Sequence, residues 1–245
     1  MRLTQPSIGT NSLMAKKFAK RFYKQVSVAA AEGGWIVQLD GRTLKTPGKI
    51  ILLVPTEKAA GLIALEWDAQ TDYIRPELMP VTRLLNVAVE QTPDNRDALV
   101  AEARKYAGTD VLCYREGDVR LHAEEQAAKW DPILGWAAKQ GVALKSTDAL
   151  IAIEQDEAAL EAVADYARSL DNMHLTLFVH FVAVFGSAVL AMAVLKGHLT
   201  GEAAFDLSRL DELWQIRYWG EDEEARERID GIRTEINALC KLLES

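Results

Sequence analysis

Cysteine is scarce in this 245-residue chain: Cys113 and Cys240 are the only two, far apart in sequence. They form neither a metal-ligand spacing nor a disulfide framework, a usage that suits a reducing compartment. Glycine (15) and proline (7) are too few for a collagenous or low-complexity chain. Basic residues are the minority, 28 Lys+Arg against 36 Asp+Glu, for a net charge of −8. Such a chain is poorly suited to wrap nucleic acid, because phosphate binding needs basic surface. Glycine-rich phosphate loops of the GxGxxG and GxxxxGK[ST] kinds are missing, as is a GxSxG elbow; Gly186-Ser187 falls within an apolar stretch instead. The four histidines lack metal spacing. At about 100° per residue, His174 and His180 point to different sides of a helix, and His122 and His198 have no liganding neighbour in sequence. They read as structural or solvated groups, and no cofactor is expected.

Apolar residues make up 49% of the chain and charged residues 26%, the profile of a soluble globular protein with enough length for one large domain or two small ones. The charge is uneven. Arg2, Lys16, Lys17, Lys20, Arg21 and Lys24 stand in residues 1–24 with no acid among them. This start is expected to be a mobile basic arm. It lacks the arginine bias and amphipathic stripe of a transit peptide, and no apolar h-region marks it as a secretory signal.

Residues 25–55 read as an antiparallel β-meander. Gln25–Ala29, Trp35–Leu39, Thr43–Lys45 and Ile50–Val54 are strand candidates, with turns at Glu32-Gly33-Gly34, Asp40-Gly41 and Pro47-Gly48. Thr56 is a candidate N-cap for a helix over about 57–70, with Leu62, Leu65 and Ala69 on one face. Residues 80–107 are expected to be helical with a break before Pro93-Asp94, 110–114 to be a return strand, and 121–140 to be helical through Asp131-Pro132. After a loop over 141–153, only helices are expected: 156–169, 173–195, 201–219 and 221–243. β structure first and helix afterwards argues an α+β fold. The division is a basic arm (1–24), a β-rich mixed domain (25–120) and a helical domain (121–245) around a buried apolar helix.

That central helix is the run 175–195, LTLFVHFVAVFGSAVLAMAVL, which is long enough to span a bilayer and carries no Asp, Glu, Lys or Arg. His180 in its middle and the small residues around Gly186 favour a bundle core over a membrane span. The acids Glu66, Asp68 and Asp72 around Trp67 read as a solvated helix end. The segment DELWQIRYWGEDEEA (211–225) is the most unusual, with two tryptophans among acids. Helical spacing puts Ser208, Glu212, Gln215 and Trp219 on one face and Leu207, Leu210, Trp214 and Tyr218 on another, core-like face. Gly220 is expected to end the helix, and Glu221-Asp222 to favour the next helix start. An exposed aromatic with hydrogen-bonding neighbours can anchor a partner.

Taken together, KRFYKQVSV, GWIVQLDGRTLKTP, EWDAQTDYIRPELMPVTRL, YAGTDVLCYR, WDPILGWA, FGSAVLAMAV and DELWQIRYWGEDEEA resemble, in this order, the F-type ATP synthase assembly chaperone family. The resemblance covers about residues 20–230. It implies a non-enzymatic chaperone, with an N-terminal mixed β domain and a C-terminal helical domain. Its partner would be the unassembled alpha subunit of the soluble sector, kept from aggregating until it meets the beta subunit. It places a functionally important acid at Glu212, with Asp211, Gln215, Trp219, Glu221 and Asp222 as further partner-binding residues. Trp67 and Asp68 match another family motif and are expected to be structural, the indole anchoring the first helix to the sheet. The expectations are a monomer, with no nucleic-acid partner and no membrane insertion. The short leader suggests a bacterial cytoplasm, or otherwise a mitochondrial matrix. Two other readings stay open: a peripheral adaptor using the apolar helix and basic arm, and a metal-dependent hydrolase using Glu66, Asp68 and His122.

Overall fold

The structure, a computed structural model, describes residues 18–244 except 150, 152, 221 and 222. Four antiparallel strands open it: β1 (Val26–Ala31), β2 (Gly34–Leu39), β3 (Arg42–Thr43) and β4 (Leu53–Val54). β2 is central. It pairs with β1 along its whole length, from Val26 opposite Leu39 to Ala31 opposite Gly34. β3 and β4 share its other edge, Gln38 opposite Thr43 and Trp35 opposite Val54. At the β2–β3 turn, Asp40 (φ 49°) and Gly41 (φ 76°) are both left-handed. Two positive φ values make a turn whose twist matches the strands it joins. The Asp40 carboxylate accepts bonds from Lys24 N (3.0 Å) and Gln25 N (2.9 Å), which hold it below the usual carboxylate range.

Only the first part of the expected basic arm, residues 1–17, lies outside the described residues; the part from Lys20 onward is docked. Tyr23 is buried, its hydroxyl donates to Trp67 O (2.6 Å), and its ring lies 5.6 Å from the indole. Arg21 donates to the carbonyls of Asp68 (2.9 Å) and Gln70 and faces the Asp68 carboxylate at 3.4 Å. Trp67 and Asp68 thus hold the chain entering the sheet against the end of helix α1 (Glu57–Asp68).

Thr56 caps α1, its hydroxyl accepting from Ala59 N (3.1 Å). The face of α1 turned to the sheet is Ala59, Ala60 and Ile63, while Leu65 is exposed. Small residues let the helix lie close on β1 and β2. Glu66, expected to be solvated, is buried instead. Its two oxygens accept from Val81 N and Thr82 N (both 2.7 Å) at the start of α2 (Pro80–Glu90), capping that helix and complementing its dipole. Burial nevertheless raises its pKa.

The remaining helices are α3 (Thr92–Gly108), α4 (Arg120–Lys139), α5 (Glu157–Ser169), α6 (Asn172–Phe185), α7 (Ala188–Leu195), α8 (Gly201–Ser208), α9 (Leu210–Trp219) and α10 (Glu223–Cys240). α3, which precedes the expected boundary after residue 120, packs on α5, α6 and α7. One buried apolar cluster runs from Tyr23 to Leu242.

Two expectations change here. The return strand at 110–114 is a 3-10 turn, Val111–Cys113, because the Asp110 carboxylate bonds Leu112 N (3.1 Å) and curls the chain. The apolar run 175–195 is not one helix. Gly186 turns left-handed (φ 63°) and closes α6, and Ser187 caps α7 through Leu190 N (2.9 Å). Asp110, fully buried, fastens this corner: its Oδ2 accepts from Ser187 Oγ (2.9 Å) and Val189 N (3.1 Å). Both halves are wrapped by other helices, with Phe178, Phe181 and Leu190 wholly buried. Among the described residues no helix is long and apolar enough to cross a membrane. The adaptor reading therefore loses its anchor, because the apolar run fills the core.

Candidate functional site

The chain breaks at Arg209 between α8 and α9, so Ser208 belongs to the helix before the acidic segment and the expected four-residue face does not run through. The core-like face is also only partly inward. Leu210 is buried and Trp214 half-buried, but Tyr218 is 62% exposed. Tyr218 falls on the last turn of α9 on a side that no other element covers, and helical periodicity carries no information about which side the neighbouring helices leave open. Gly220 ends α9 with positive φ (84°), as expected. Trp219's side chain, and Glu221 and Asp222 altogether, lie outside the described residues.

α9 lies against α4. Asp211 turns towards α4, where its Oδ1 accepts from Gln126 Nε2 (2.8 Å) and lies 3.0 Å from His122 Nε2. Gln126 is buried and also accepts from Glu116 N (2.7 Å). His122 is buried and stacks on Trp214, with ring centroids 4.6 Å apart and planes 9° from parallel. Glu116 accepts from Asp118 N (2.8 Å) and Val119 N (3.2 Å), and these backbone donors hold its carboxyl below the ordinary glutamate range.

Beside this network a stronger clamp fixes the outer turn of α9. Arg217 donates both terminal nitrogens to Glu125 (2.9 Å each), and Lys129 adds a third bond to it (2.7 Å). The Arg217 bonds are the main reason that the Glu125 pKa falls to about 2. Arg217 also stands over the Trp214 ring at 5.6 Å. Trp214 is consequently a packed wall carrying His122 and Arg217, while Tyr218 is open to solvent.

Glu212 points away from Asp211. It meets Arg209 at 3.5 Å, and both side chains are about one-third exposed. Gln215 is exposed and borders, with Asp211 and Trp214, an open cleft of about 350 Å³. So Asp211 and Gln215 come together at the cleft, and Glu212 stands beside it on the next side of the helix. His122, Glu116, Gln126 and Tyr218 complete the face, and none was singled out for it from sequence. For His122 and Gln126 there was no signal, since 85 or more positions separate them from their α9 partner Asp211.

The hydrolase constellation does not assemble. Glu66 caps α2, Asp68 faces Arg21, and His122 packs against α9. Among the described residues, no three His, Cys, Asp or Glu side chains group as metal ligands.

With this geometry, the comparisons with known proteins identify the family. The sequence pattern of the ATP12 chaperone protein family matches residues 20–138. Protein atp12, mitochondrial, of Schizosaccharomyces pombe is 30% identical over 221 residues, which cover 85% of this chain and 76% of that protein. The chain belongs to the ATP12 chaperone family. Its function is therefore that of an assembly chaperone for ATP synthase, and the family is non-enzymatic. Solved ATP12 structures share the fold. The crystal structure of Atp12 from Paracoccus denitrificans is similar at TM-score 0.86 and 37% identity, covering 92% of this chain and 97% of that one. A variant of that Paracoccus protein carrying an aspartate-to-lysine exchange superimposes equally well. The Atu1473 protein of Agrobacterium tumefaciens is similar at TM-score 0.89 and 37% identity, over 95% of this chain and 88% of that one. The α+β architecture read from the order of strands and helices along the chain is the architecture these structures share.

Proposed function

We propose that this ATP12-family chain binds the unassembled alpha subunit of the F-type ATP synthase through the face built by α9 on α4, keeps it from aggregating, and passes it to the beta subunit. The observation that carries this reading is the face itself: partly exposed acids, Asp211 and Glu212, beside exposed Gln215 and Tyr218 and an open cleft. A free alpha subunit exposes surface made to meet neighbours, and such surface associates wrongly if left uncovered. A holding protein must cover it and then let go, which favours a polar interface of moderate size over a greasy groove. Glu212 suits first contact, because a single 3.5 Å pairing with Arg209 leaves its carboxylate available. The place of work we infer is a bacterial cytoplasm, with a mitochondrial matrix as the alternative; either keeps Cys113 and Cys240 as thiols.

The test is co-expression with the matching alpha subunit, read as soluble alpha subunit and co-elution on size exclusion, followed by addition of beta subunit. A complex that beta subunit dissolves is the expected result. Insoluble alpha subunit with nothing co-eluting would refute the reading.

A further inference from the structure

We propose that the free edge of β1 takes an extended segment of the bound protein as an added strand of the sheet. The assignment rests on the alpha-subunit reading above and states the conformation in which that partner is held.

Hydrogen-bond parity decides which backbone groups of β1 face outward. In an antiparallel pair, residues that bond the neighbouring strand alternate with residues that turn away from it. Asp40 N donates to Gln25 O (2.9 Å), so Gln25 and Asp40 are a bonded pair. In the register of β1 on β2, Ser27 with Gln38, Ala29 with Ile36 and Ala31 with Gly34 repeat it. The far edge of β2 agrees: Leu44 N donates to Val37 O (2.8 Å), so Val37 bonds on the β3 side. The N–H and C=O groups of Val26, Val28 and Ala30 therefore point away from β2. No described residue donates to them or accepts from them.

Nothing in the sequence of β1 guards this edge. Native sheets blunt a free edge with charge, proline, a bulge or a very short strand. β1 is VSVAAA, six residues with no charge and no proline. Its register on β2 runs without a bulge. The opposite edge of the sheet is different, because it is divided between β3 and β4, two residues each.

The face of the sheet turned away from α1 is open as well, and uncharged. Val37, Leu39 and Val54 are buried on the α1 side. The pairings of Ile36 with Ala29 and Leu53, and of Gln38 with Ser27 and Thr43, put these six residues on the other face. None of them is charged, none is fully buried, and Leu53 is 36% exposed. An exposed uncharged face beside an unguarded edge marks a protein interaction surface.

The edge itself selects the occupant. Donors and acceptors spaced along a strand complement the backbone of another extended chain. A helix has already spent its backbone bonds, and an anion finds no basic side chain on this strand. A second copy offers the same edge, but a six-residue pairing falls well short of the roughly 1,200 Å² of a stable interface, so it does not hold a dimer by itself. A subunit that has not met its neighbours exposes surface built for them, and a contact one strand long is small enough to release. Alternate side chains of the added strand would extend the uncharged face, which favours apolar or hydroxyl-bearing residues there.

The experiment is hydrogen exchange of the full chain, alone and in its co-eluting complex with the matching alpha subunit, read residue by residue along β1. In the free chain the amides of Val26, Val28 and Ala30 are expected to exchange fast and those of Ser27 and Ala29 slowly. In the complex the first three should slow by about tenfold or more. Fast exchange at all three in a complex that does form overturns the added strand and leaves the chaperone reading standing. Slow exchange at all three in the free chain shows an edge already paired, within one copy or between two, and overturns it as well. Failure of the wild type to co-elute with alpha subunit refutes the chaperone reading and this inference with it. Ala30→Pro removes one outward donor and leaves the bonds of Ser27 and Ala29 to β2 in place. That variant should keep the wild-type unfolding midpoint and bind alpha subunit about tenfold more weakly. Undiminished binding by the folded variant overturns the added strand. If the variant does not fold, the exchange pattern of the wild type decides.

Discussion

Two aspartates divide the molecule into its functional halves. Asp110 is fully buried, and its carboxylate is surrounded by Ser187 Oγ and the N–H groups of Leu112 and Val189. Asp211 is half-exposed, meets Gln126 and His122 with one oxygen, and turns the other to a cleft. The first has no capacity left for a partner, and its task is to hold the corner between α6 and α7. The second ties α9 to α4 while keeping part of its hydrogen-bonding capacity for something outside. The same side chain is a rivet where its oxygens are met within the fold, and has acceptor capacity to spare where one is not.

Breaking the rivet should have the largest effect. Asp110→Ala orphans a hydroxyl and two backbone N–H groups in the core, and is expected to cost about 3–5 kcal/mol of stability in urea unfolding. Asp110→Asn separates charge from shape. Burial raises the Asp110 pKa from 3.8 to about 6. Because the folded protein holds this proton more tightly than the unfolded chain, the contribution is present below about pH 4 and is lost as pH rises through about 6. The wild type should therefore lose stability relative to Asp110→Asn over that window, by about 3 kcal/mol at about 1.4 kcal/mol per pK unit. A flat difference between pH 4 and pH 7 would show that the charge is solvated after all.

On the other side of the comparison, stability should barely move while binding does. Glu212→Lys places a second cation beside Arg209 on a partly exposed surface, which should cost under about 1 kcal/mol of fold stability. It reverses the charge offered to the partner, so alpha-subunit binding should weaken by about tenfold or more in a pull-down or calorimetric titration. Loss of helical circular dichroism in that variant would make Glu212 structural, and unchanged binding would remove it from the interface. The smallest stability effect belongs to Tyr218→Ala. Its ring is exposed, so the melting midpoint should stay within the range of an ordinary surface change, about 0.5 kcal/mol, while binding falls if the ring is an anchor.

Much of the fold was legible because its signals are local. Asp40-Gly41 announced a hairpin, Thr56 a helix cap, and the order of strands and helices the α+β class. Errors arose where a side chain reached across the chain. Glu66 looked like a solvated acid because nothing near it in sequence shows that Val81 and Thr82 present bare N–H groups to it. Residues 110–114 looked like a strand because their apolar pattern does not reveal that Asp110 turns back to bond Leu112. The apolar run looked continuous, although Gly186-Ser187 carried the break in plain sight: glycine for a left-handed closing residue and serine for a cap.

The sequence by itself determined the class of fold, the order of strands before helices, the resemblance to ATP synthase assembly chaperones, and the segment 211–225 as the unusual one. Those properties rest on spacing, turn chemistry and residue type, which are written along the chain. Only the tertiary structure decided that Trp214 is packed and Tyr218 open, that Asp211 joins His122 and Gln126 while Glu212 turns aside, and that a cleft remains between them. Those outcomes depend on which helix lies against which, and the contacts that fix the packing join residues more than eighty positions apart.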